Sequence, residues 1–222
     1  MIVLRDPLGR PIERLYFEAE VLDELCERKI ADFMNQHCGG FKLPIPTSAI
    51  IRMIAAEADE LELHADLAQG VDGYTDFFAD RKPRVKISER LSATRYENRF
   101  RFTLGHEYGH VWFHAPLWRK SKDDPTRPAT PCWTCHRDTI GSAPAKDWME
   151  YQADHLGGAL LMPRSGLVGW AGEIAMRERK PPPLRGDSEL GRALIERVRR
   201  RCRVSDQAAR VRLLRLSLLV QS

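Results

Sequence analysis

The sequence predicts an α+β protein, in which a small, mostly antiparallel sheet packs on helices and helical extensions flank this core. Two observations support this fold class: residues 13–36 carry apolar side chains at helical spacing, whereas residues 61–88 change to strand-like segments. Hydrophobic residues make up 43% and charged residues 30% of the chain, as in an ordinary globular protein. We expect a helical N-terminal extension, a core and a basic helical C-terminal region, at residues 1–46, 47–175 and 184–222.

The N-terminal region is predicted to contain one long helix over residues 13–36. The glycine pair at 39–40 is a stop signal, because glycine readily adopts the backbone conformation that ends a helix. The FKLPIP segment that follows should be an extended connector, since proline disfavours helix at the residue before it. Thr47 or Ser48 then caps a second helix that continues to about Ala58.

The middle of the chain predicts about three strands. Leu61 and Leu63 alternate with charged residues, and the segments GYTDFF (73–78) and RVKIS (84–88) flank the turn-like DRKP. Short strands joined by turns are typical of an antiparallel sheet. The sequence therefore places a small sheet before the next helix.

The rest of the chain is predicted to be mostly helical. A helix is expected from about residue 95 to 114, where the Ala-Pro pair at 115–116 ends it. Residues 115–146 are rich in proline, serine, threonine and charge, and this composition predicts a long loop. Further helices are predicted at residues 147–161, 187–201 and 205–219, with a proline-rich linker at 180–183.

The composition also bears on the compartment of the protein. There are five cysteines, an odd and sparse number that argues against a disulfide framework and for a reducing environment. The opening MIVLRDPLGR is interrupted by charge, so we predict no signal peptide. No stretch approaches the roughly 20 apolar residues of a membrane span. We therefore predict a cytoplasmic protein that does not enter a membrane.

The segment RFTLGHEYGH (101–110) carries the pattern His-Glu-x-x-His at His106, Glu107 and His110. Residues four apart share one face of a helix, so the two imidazoles can bind one metal ion. Glu107 is turned by about 100° from His106, which places it beside the ion as a general base. The alternative is a helix that carries two partly exposed histidines and a glutamate without any metal.

A third ligand is expected from a second helix. The longer histidine pattern of the metzincins is absent, and His114 is interpreted as a helix-end histidine. Asp147, Glu150 and Asp154 line one face of the helix over 147–161 at spacings of three and four. We predict Glu150 as the ligand, and Asp154 as the carboxylate that orients a ligating histidine through its far ring nitrogen. The alternative is a solvated acidic stripe.

Two segments together resemble the ImmA/IrrE metallopeptidase family. They are RFTLGHEYGH (101–110) and EYQADHLGGALLMP (150–163), and GYTDFFADRKPRVKIS precedes them. The resemblance covers about residues 45–170, and more loosely RVSDQAARVRLLRL in the tail. It implies a zincin-like core in which His106, His110 and Glu150 bind zinc and Glu107 is the base.

The resemblance also implies a partner. Family members are similar in cutting helix-turn-helix repressors, which releases stress, prophage or mobile-element genes. The chain departs from the family pattern at Asp154, where asparagine is frequent, and in the long loop that carries Cys132 and Cys135. Two histidines and one carboxylate could accept Zn²⁺ or Mn²⁺.

The segment GYTDFF suggests how a substrate binds. If it is a sheet edge beside the cleft, it could pair with an extended substrate segment through backbone hydrogen bonds; the alternative is a covered or internal strand. The candidate substrate-binding residues are Tyr74, Thr75, Asp76 and Phe77. The candidates for stabilising the oxyanion are Tyr74, Tyr151 and His155.

Cys132 and Cys135, followed by His136, form half of a structural zinc site. His37 and Cys38 could supply the other half if the N-terminal segment folds against the loop. The alternatives are a redox-sensitive thiol pair and plain loop cysteines.

The basic character of the chain is concentrated in its tail. Residues 180–222 contain eleven Lys and Arg against four Asp and Glu, a net +7 in a chain of net +4. Two basic helices could place one helix in the major groove of DNA. Alternatively they pack on the core or dock a repressor, with Arg outward and Leu213, Leu214, Leu216 and Leu218 inward.

A second function class follows from this tail. The protein could be a non-proteolytic regulator in which the metal stabilises the fold and the basic helices bind nucleic acid. The glutamate between the two histidines argues against this class, because a structural metal site needs no base.

Overall fold

The computed structural model describes residues 2–119, 131–138 and 147–221. These residues form two compact units, each assembled from segments that are distant in sequence. The first unit comprises Met1–Ala19 and Thr47–Gly157, and the second comprises Glu20–Pro46 and Gly158–Ser222. The boundaries differ from the three predicted regions, because the N-terminal extension contributes to both units.

The strands confirm the predicted α+β class. They are β1 (Ile2–Arg5), β2 (Glu13–Tyr16), β3 (Glu60–Ala65), β4 (Val71–Phe77), β5 (Arg84–Ser88), β6 (Trp133–Asp138), β7 (Leu184–Arg185) and β8 (Leu219–Val220). β1 and β2 form an antiparallel ribbon, and the main sheet has the order β3-β5-β4-β6. Its β3–β5 pair is parallel and its other pairs are antiparallel. The three predicted strands are present, whereas β6 lies within the segment that was predicted to be a loop.

The helices follow the predicted order with shifted ends. They are α1 (Ala19–His37), α2 (Thr47–Glu57), α3 (Glu97–Gly109), α4 (Ala115–Trp118), α5 (Trp148–Leu161), α6 (Arg164–Glu178), α7 (Glu189–Cys202) and α8 (Asp206–Arg215). The helix predicted from residue 13 begins only at Ala19, because β2 pairs with β1 there. α6 was not predicted. In the described residues, no helix is both long and apolar enough to cross a membrane.

The helix expected to end at 115–116 instead continues as a π-helix, His110–His114, and then as α4. Proline is tolerated there because it lies in the first turn of α4, where its missing N–H removes no hydrogen bond within the helix. The result is a long helical segment whose middle is locally widened. That widened part carries the second histidine of the His-Glu-x-x-His pattern.

Two glycines allow α3 and α5 to approach closely. A Cβ atom added at Gly157 would lie 2.9 Å from the backbone nitrogen of His106, closer than real Cβ contacts. A Cβ at Gly105 would lie 3.1 Å from Gly157 Cα. Larger residues would therefore force the helices apart, and the close contact places the two predicted ligand-bearing helices side by side.

The second unit contains the basic helices. The burial of their leucines agrees in part with the predicted inward orientation. Leu213 and Leu218 are buried, whereas Leu214 and Leu216 are half-buried. The expectation that the arginines point outward is wrong for Arg212, which is 3% exposed and pairs with Asp23 at 2.8 Å. Burying this guanidinium requires a charged partner, and Asp23 provides it.

Candidate metal centre

α3 and the π-helix carry both histidines and Glu107 in the interior of the first unit. His106 is 2% exposed, and Glu107 and His110 are fully buried. The alternative of two partly exposed histidines is therefore wrong. Their burial follows from the close contact between α3 and α5, which the glycines at 105 and 157 permit.

Glu150 on α5 completes a group of three candidate ligands. Its Oε2 lies 3.1 Å from His106 Nε2, and its Oε1 lies 3.3 Å from His110 Nε2. The two Nε2 atoms are 3.1 Å apart, and all three ligand atoms lie within 4.8 Å of one another. Although burial acts in the opposite direction, the two histidines lower the pKa of Glu150 well below its usual value, so the carboxylate is ionised.

Asp154 contacts the far side of the His106 ring, one helical turn beyond Glu150. Its Oδ1 lies 3.0 Å from His106 Nδ1. A carboxylate accepts hydrogen bonds, so His106 donates its Nδ1–H to Asp154, which leaves Nε2 as the nitrogen that faces Glu150 and can bind a metal. The contact has the geometry expected from the spacing of the two acidic residues.

His114 is placed differently from the expectation that it is a helix-end histidine. It is fully buried, and its Nδ1 lies 2.9 Å from His110 Nδ1. Its Nε2 lies 3.1 Å from Gln152 Oε1. Burial, together with the charge of His110, lowers the pKa of His114 well below its usual range, so this ring is neutral. The expectation assumed a straight α-helix, whereas the π-helix brings the two rings together.

The chemistry of this donor set fits a cation. The Nε2 atoms of His106 and His110 and both carboxylate oxygens of Glu150 converge at 3.1–3.3 Å. Without a metal, protons on the ring nitrogens hydrogen-bond to Glu150, and a divalent cation can take the place of these protons between the three side chains. Two imidazoles and one carboxylate also form a known ligand set of catalytic zinc sites, which leave one position open.

Glu107 lies beside the three ligands and is held by the sheet. Thr75 Oγ1 on β4 donates a hydrogen bond to Glu107 Oε2 at 2.7 Å. Glu107 Oε1 is buried and has no hydrogen-bond partner among the described residues. Burial raises the pKa of Glu107, although His106, His110 and the Thr75 hydrogen bond act in the opposite direction. One oxygen is thus anchored, and the other is available to a reacting group.

β4 is not the sheet edge that the substrate hypothesis required, so that hypothesis is corrected. It is hydrogen-bonded to β5 on one side and to β6 on the other. In the pairing with β6, Tyr74 lies opposite His136, Thr75 opposite Cys135, Asp76 opposite Thr134 and Phe77 opposite Trp133. β4 was proposed as an edge strand because the composition of residues 115–146 predicted a loop, so β6 was not expected there. Within the described residues, β6 is the outer strand on this side.

The three candidates for an oxyanion helper differ in their placement. Thr75 points its hydroxyl group at Glu107, so strand alternation directs the neighbouring Tyr74 to the opposite face of the sheet. Tyr151 is 57% exposed, and His155 is buried. The strand geometry therefore removes Tyr74 from consideration, and the other two stay predictions.

Cys132 and Cys135 are free thiols, and the second metal site gains no support. Cys135 is buried on β6 and Cys132 is half-buried just before that strand. Among the described residues, His106, His110 and Glu150 form the one group of three or more converging metal ligands, and this group contains neither cysteine. Burial and the charge of Glu150 raise the pKa of Cys135 well above its usual value, so its thiol is protonated and poorly reactive. The redox interpretation stays a prediction.

The chain matches a known family of proteins over most of its length. Residues 56–214 match the family model of the M78 peptidases, described as the IrrE N-terminal-like domain. The match covers more than half of the chain, so the protein belongs to this metallopeptidase family, and its α+β fold is zincin-like. No curated protein matches the chain.

Proposed function

We propose that the protein is a zinc-dependent endopeptidase that cuts a helix-turn-helix repressor and thereby switches on stress, prophage or mobile-element genes. The family supplies the reaction class, which is metal-dependent hydrolysis of a peptide bond. The single observation that carries the proposal is the convergence of His106, His110 and Glu150 beside Glu107. We place the reaction in the cytoplasm, which agrees with five cysteines that form no disulfide bond.

Zinc is the proposed metal, with manganese as the alternative. His106, His110 and Glu150 would bind the ion through two nitrogens and one oxygen, a mixed set that suits zinc and that manganese also accepts. When bound, zinc supplies Lewis acidity that polarises a carbonyl group and acidifies water. Metal content of protein purified without added metal tests this choice.

Glu107 is proposed as the general base. Its Oε1 has no partner among the described residues, whereas Oε2 accepts the hydroxyl proton of Thr75. The free oxygen can take a proton from the attacking water and return it to the leaving amine. The raised pKa of Glu107 suits this task, because a base works best when its pKa is close to the operating pH.

The repressor substrate rests on the resemblance of residues 101–110 and 150–163 to the ImmA/IrrE metallopeptidases. A small helix-turn-helix repressor encoded next to this gene is the first candidate substrate. Incubating it with the purified protein and mapping fragments by mass spectrometry tests the proposal. A single metal-dependent cut that stops DNA binding supports it, and an intact repressor after prolonged incubation with the zinc-loaded protein contradicts it.

The Glu107→Gln variant tests the peptidase itself. We expect it to bind one metal ion per chain as the unchanged protein does, while cleavage falls by roughly 10²- to 10⁴-fold because the base is lost. Glu89→Gln, at an exposed glutamate of the same unit, is the matched control and should leave cleavage unchanged. A regulator that uses the metal only to stabilise its fold would keep its function in both variants.

Direct nucleic-acid binding by the C-terminal helices is the less supported alternative. Several of their arginines already have acidic partners within the second unit: Arg197 pairs with Glu173, Arg199 with Glu196, Arg210 with Asp206 and Arg212 with Asp23. Such pairs reduce the positive charge that is free to contact phosphates. Tight, saturable DNA binding in a gel-shift assay at moderate salt would reverse this preference.

A further inference from the structure

We propose that Leu15, Gln152 and His114 form a hydrogen-bond relay that fixes the tautomer of His110 and directs its Nε2 lone pair at the metal. The inference rests on the metal ligands of the proposed function. It adds a set of positioning residues, of which Leu15 lies outside the matched family domain at 56–214. The direction of hydrogen-bond donation along the relay follows from which atoms can donate and which can only accept.

The relay begins at the backbone carbonyl of Leu15 on β2. Gln152 Nε2 donates a hydrogen bond to this oxygen at 2.7 Å. A carbonyl group can only accept, so the reversed amide would bring two oxygen atoms into contact and is excluded. The amide of Gln152 is therefore held with its Oε1 facing His114.

The second step fixes the proton of His114. Gln152 Oε1 is an acceptor that lies 3.1 Å from His114 Nε2, so Nε2 carries the hydrogen. A neutral imidazole has one N–H, and the contact with Gln152 places it on Nε2 of His114. Its Nδ1 is then an acceptor.

The third step reaches the ligand. His110 Nδ1 lies 2.9 Å from His114 Nδ1, and only one of these atoms can donate. Because His114 Nδ1 accepts, His110 carries a hydrogen on Nδ1, and its Nε2, which lies 3.3 Å from Glu150 Oε1, is the nitrogen left to bind the metal. The relay thus holds the ring of His110 through its Nδ1, as Asp154 holds the ring of His106 through its Nδ1.

The N-terminal segment supports α5 at a second point. Arg10 Nη1 and Nη2 donate to both carboxylate oxygens of Asp147, at 3.1 and 3.0 Å. Asp147 in turn accepts the backbone N–H of Met149 at 3.0 Å at the start of α5. The start of the helix that presents Glu150 and Gln152 is therefore anchored by the same N-terminal segment in which the relay begins.

The tautomers can be measured directly in the zinc-loaded full-length protein. Long-range ¹H–¹⁵N NMR spectra of histidine-labelled protein should show His114 protonated on Nε2 and His110 protonated on Nδ1. Finding His114 with its hydrogen on Nδ1, or His110 with its hydrogen on Nε2, overturns the relay. This result does not depend on peptide cleavage, so the relay and the peptidase can fail separately.

Zinc affinity provides the second test. Gln152→Leu removes both hydrogen bonds of the amide and should weaken zinc binding by roughly 10- to 100-fold, measured by competition with a chromophoric chelator. Gln152→Glu keeps an acceptor for His114 and should bind zinc more tightly than Gln152→Leu. An affinity for Gln152→Leu equal to that of the unchanged protein overturns the proposal.

A matched control separates positioning from loss of stability. Ile54 is fully buried on α2 in the same unit and makes no contact in the relay. Ile54→Ala should lower the free energy of unfolding while zinc affinity stays unchanged. If Ile54→Ala weakens zinc binding as much as Gln152→Leu, then a merely structural role explains the data and the relay is rejected.

Discussion

Each candidate histidine ligand presents one ring nitrogen to the centre and uses the other to contact a neighbour. His106 contacts the carboxylate of Asp154, whereas His110 contacts the neutral ring of His114. A carboxylate partner makes an imidazole a stronger electron donor than a neutral partner does. The two nitrogens of the centre are therefore expected to differ in how strongly they donate electrons to a metal, although their residue types are identical.

Asp154 gives the first prediction at the residue scale. Asp154→Leu removes the acceptor of His106 Nδ1–H, so zinc affinity should fall by roughly 10- to 100-fold. Asp154→Asn keeps an oxygen acceptor and should stay close to the unchanged protein. Chelator competition measures both variants, and equal affinity of the two would show that the acceptor is irrelevant.

Thr75 gives the second prediction, and it concerns Glu107. Thr75→Val keeps the shape of the side chain but removes the hydroxyl group that donates to Glu107 Oε2. The base then loses an anchor, and we expect kcat to fall about tenfold, a change of about 1.4 kcal/mol in the barrier, while metal content stays at one per chain. Thr75→Ser restores a donor and should recover part of the rate. A loss confined to KM would contradict the positioning of the base by Thr75.

At the scale of elements, the contact between α3 and α5 sets the distance between the histidines and Glu150. Gly157→Ala would place a Cβ atom 2.9 Å from the His106 backbone nitrogen, so the helices must move apart. We expect a loss of both stability and zinc affinity, measured by urea unfolding and chelator competition.

The adjacent glycine provides the matched control for this prediction. A Cβ at Gly158 meets only the Arg212 side chain, at 4.0 Å, which is an ordinary contact. Gly158→Ala should therefore leave zinc affinity unchanged and could raise stability through better helix propensity, by up to about 1 kcal/mol. Similar losses in both variants would mean that helix separation is not the cause.

Local spacing explains which elements the sequence predicts correctly. α5 was predicted because its pattern is helical, and the one-turn spacing of Glu150 and Asp154 placed both on the face that meets His106. α7 and α8 were predicted with their break, which contains Arg203 at a φ of 52°. These features depend only on residues that are close in sequence, so they can be predicted from a single sequence.

The misplaced elements depend on distant contacts. β6 is built from a polar segment, and pairing with β4 rather than its own composition makes it a strand. The π-helix follows no spacing rule in the sequence, so the contact of His114 with His110 could not be foreseen. The same dependence on distant contacts explains why β4 was proposed as an edge strand. Whether a strand lies at an edge depends on its neighbours in the sheet, and β6 could not be predicted.

At the scale of the whole molecule, metal binding should couple to the stability of the first unit. The three ligands come from α3, the π-helix and α5, and they converge only when that unit is folded. Zinc at about 100 times its dissociation constant should therefore raise the free energy of unfolding by about 2.7 kcal/mol. His110→Ala should abolish this increase in a urea titration with and without zinc. An equal increase in the variant would place the stabilising zinc elsewhere.

The acid sensitivity of the first unit should depend on its N-terminal segment. Burial by itself raises the pKa of Asp6, but the Arg10 side chain and the backbone N–H of Leu8 outweigh it, so the pKa lies below its usual value. Ionised Asp6 then stabilises the folded state above about pH 4, and this contribution is lost as the pH falls through the lowered pKa. Asp6→Asn should flatten the fall in unfolding free energy between about pH 5 and pH 2, measured by urea titration of the metal-free protein. Asp66→Asn, an exposed change in the same unit, should leave the slope unchanged, and equal flattening in both variants would contradict the role of the Asp6–Arg10 pair.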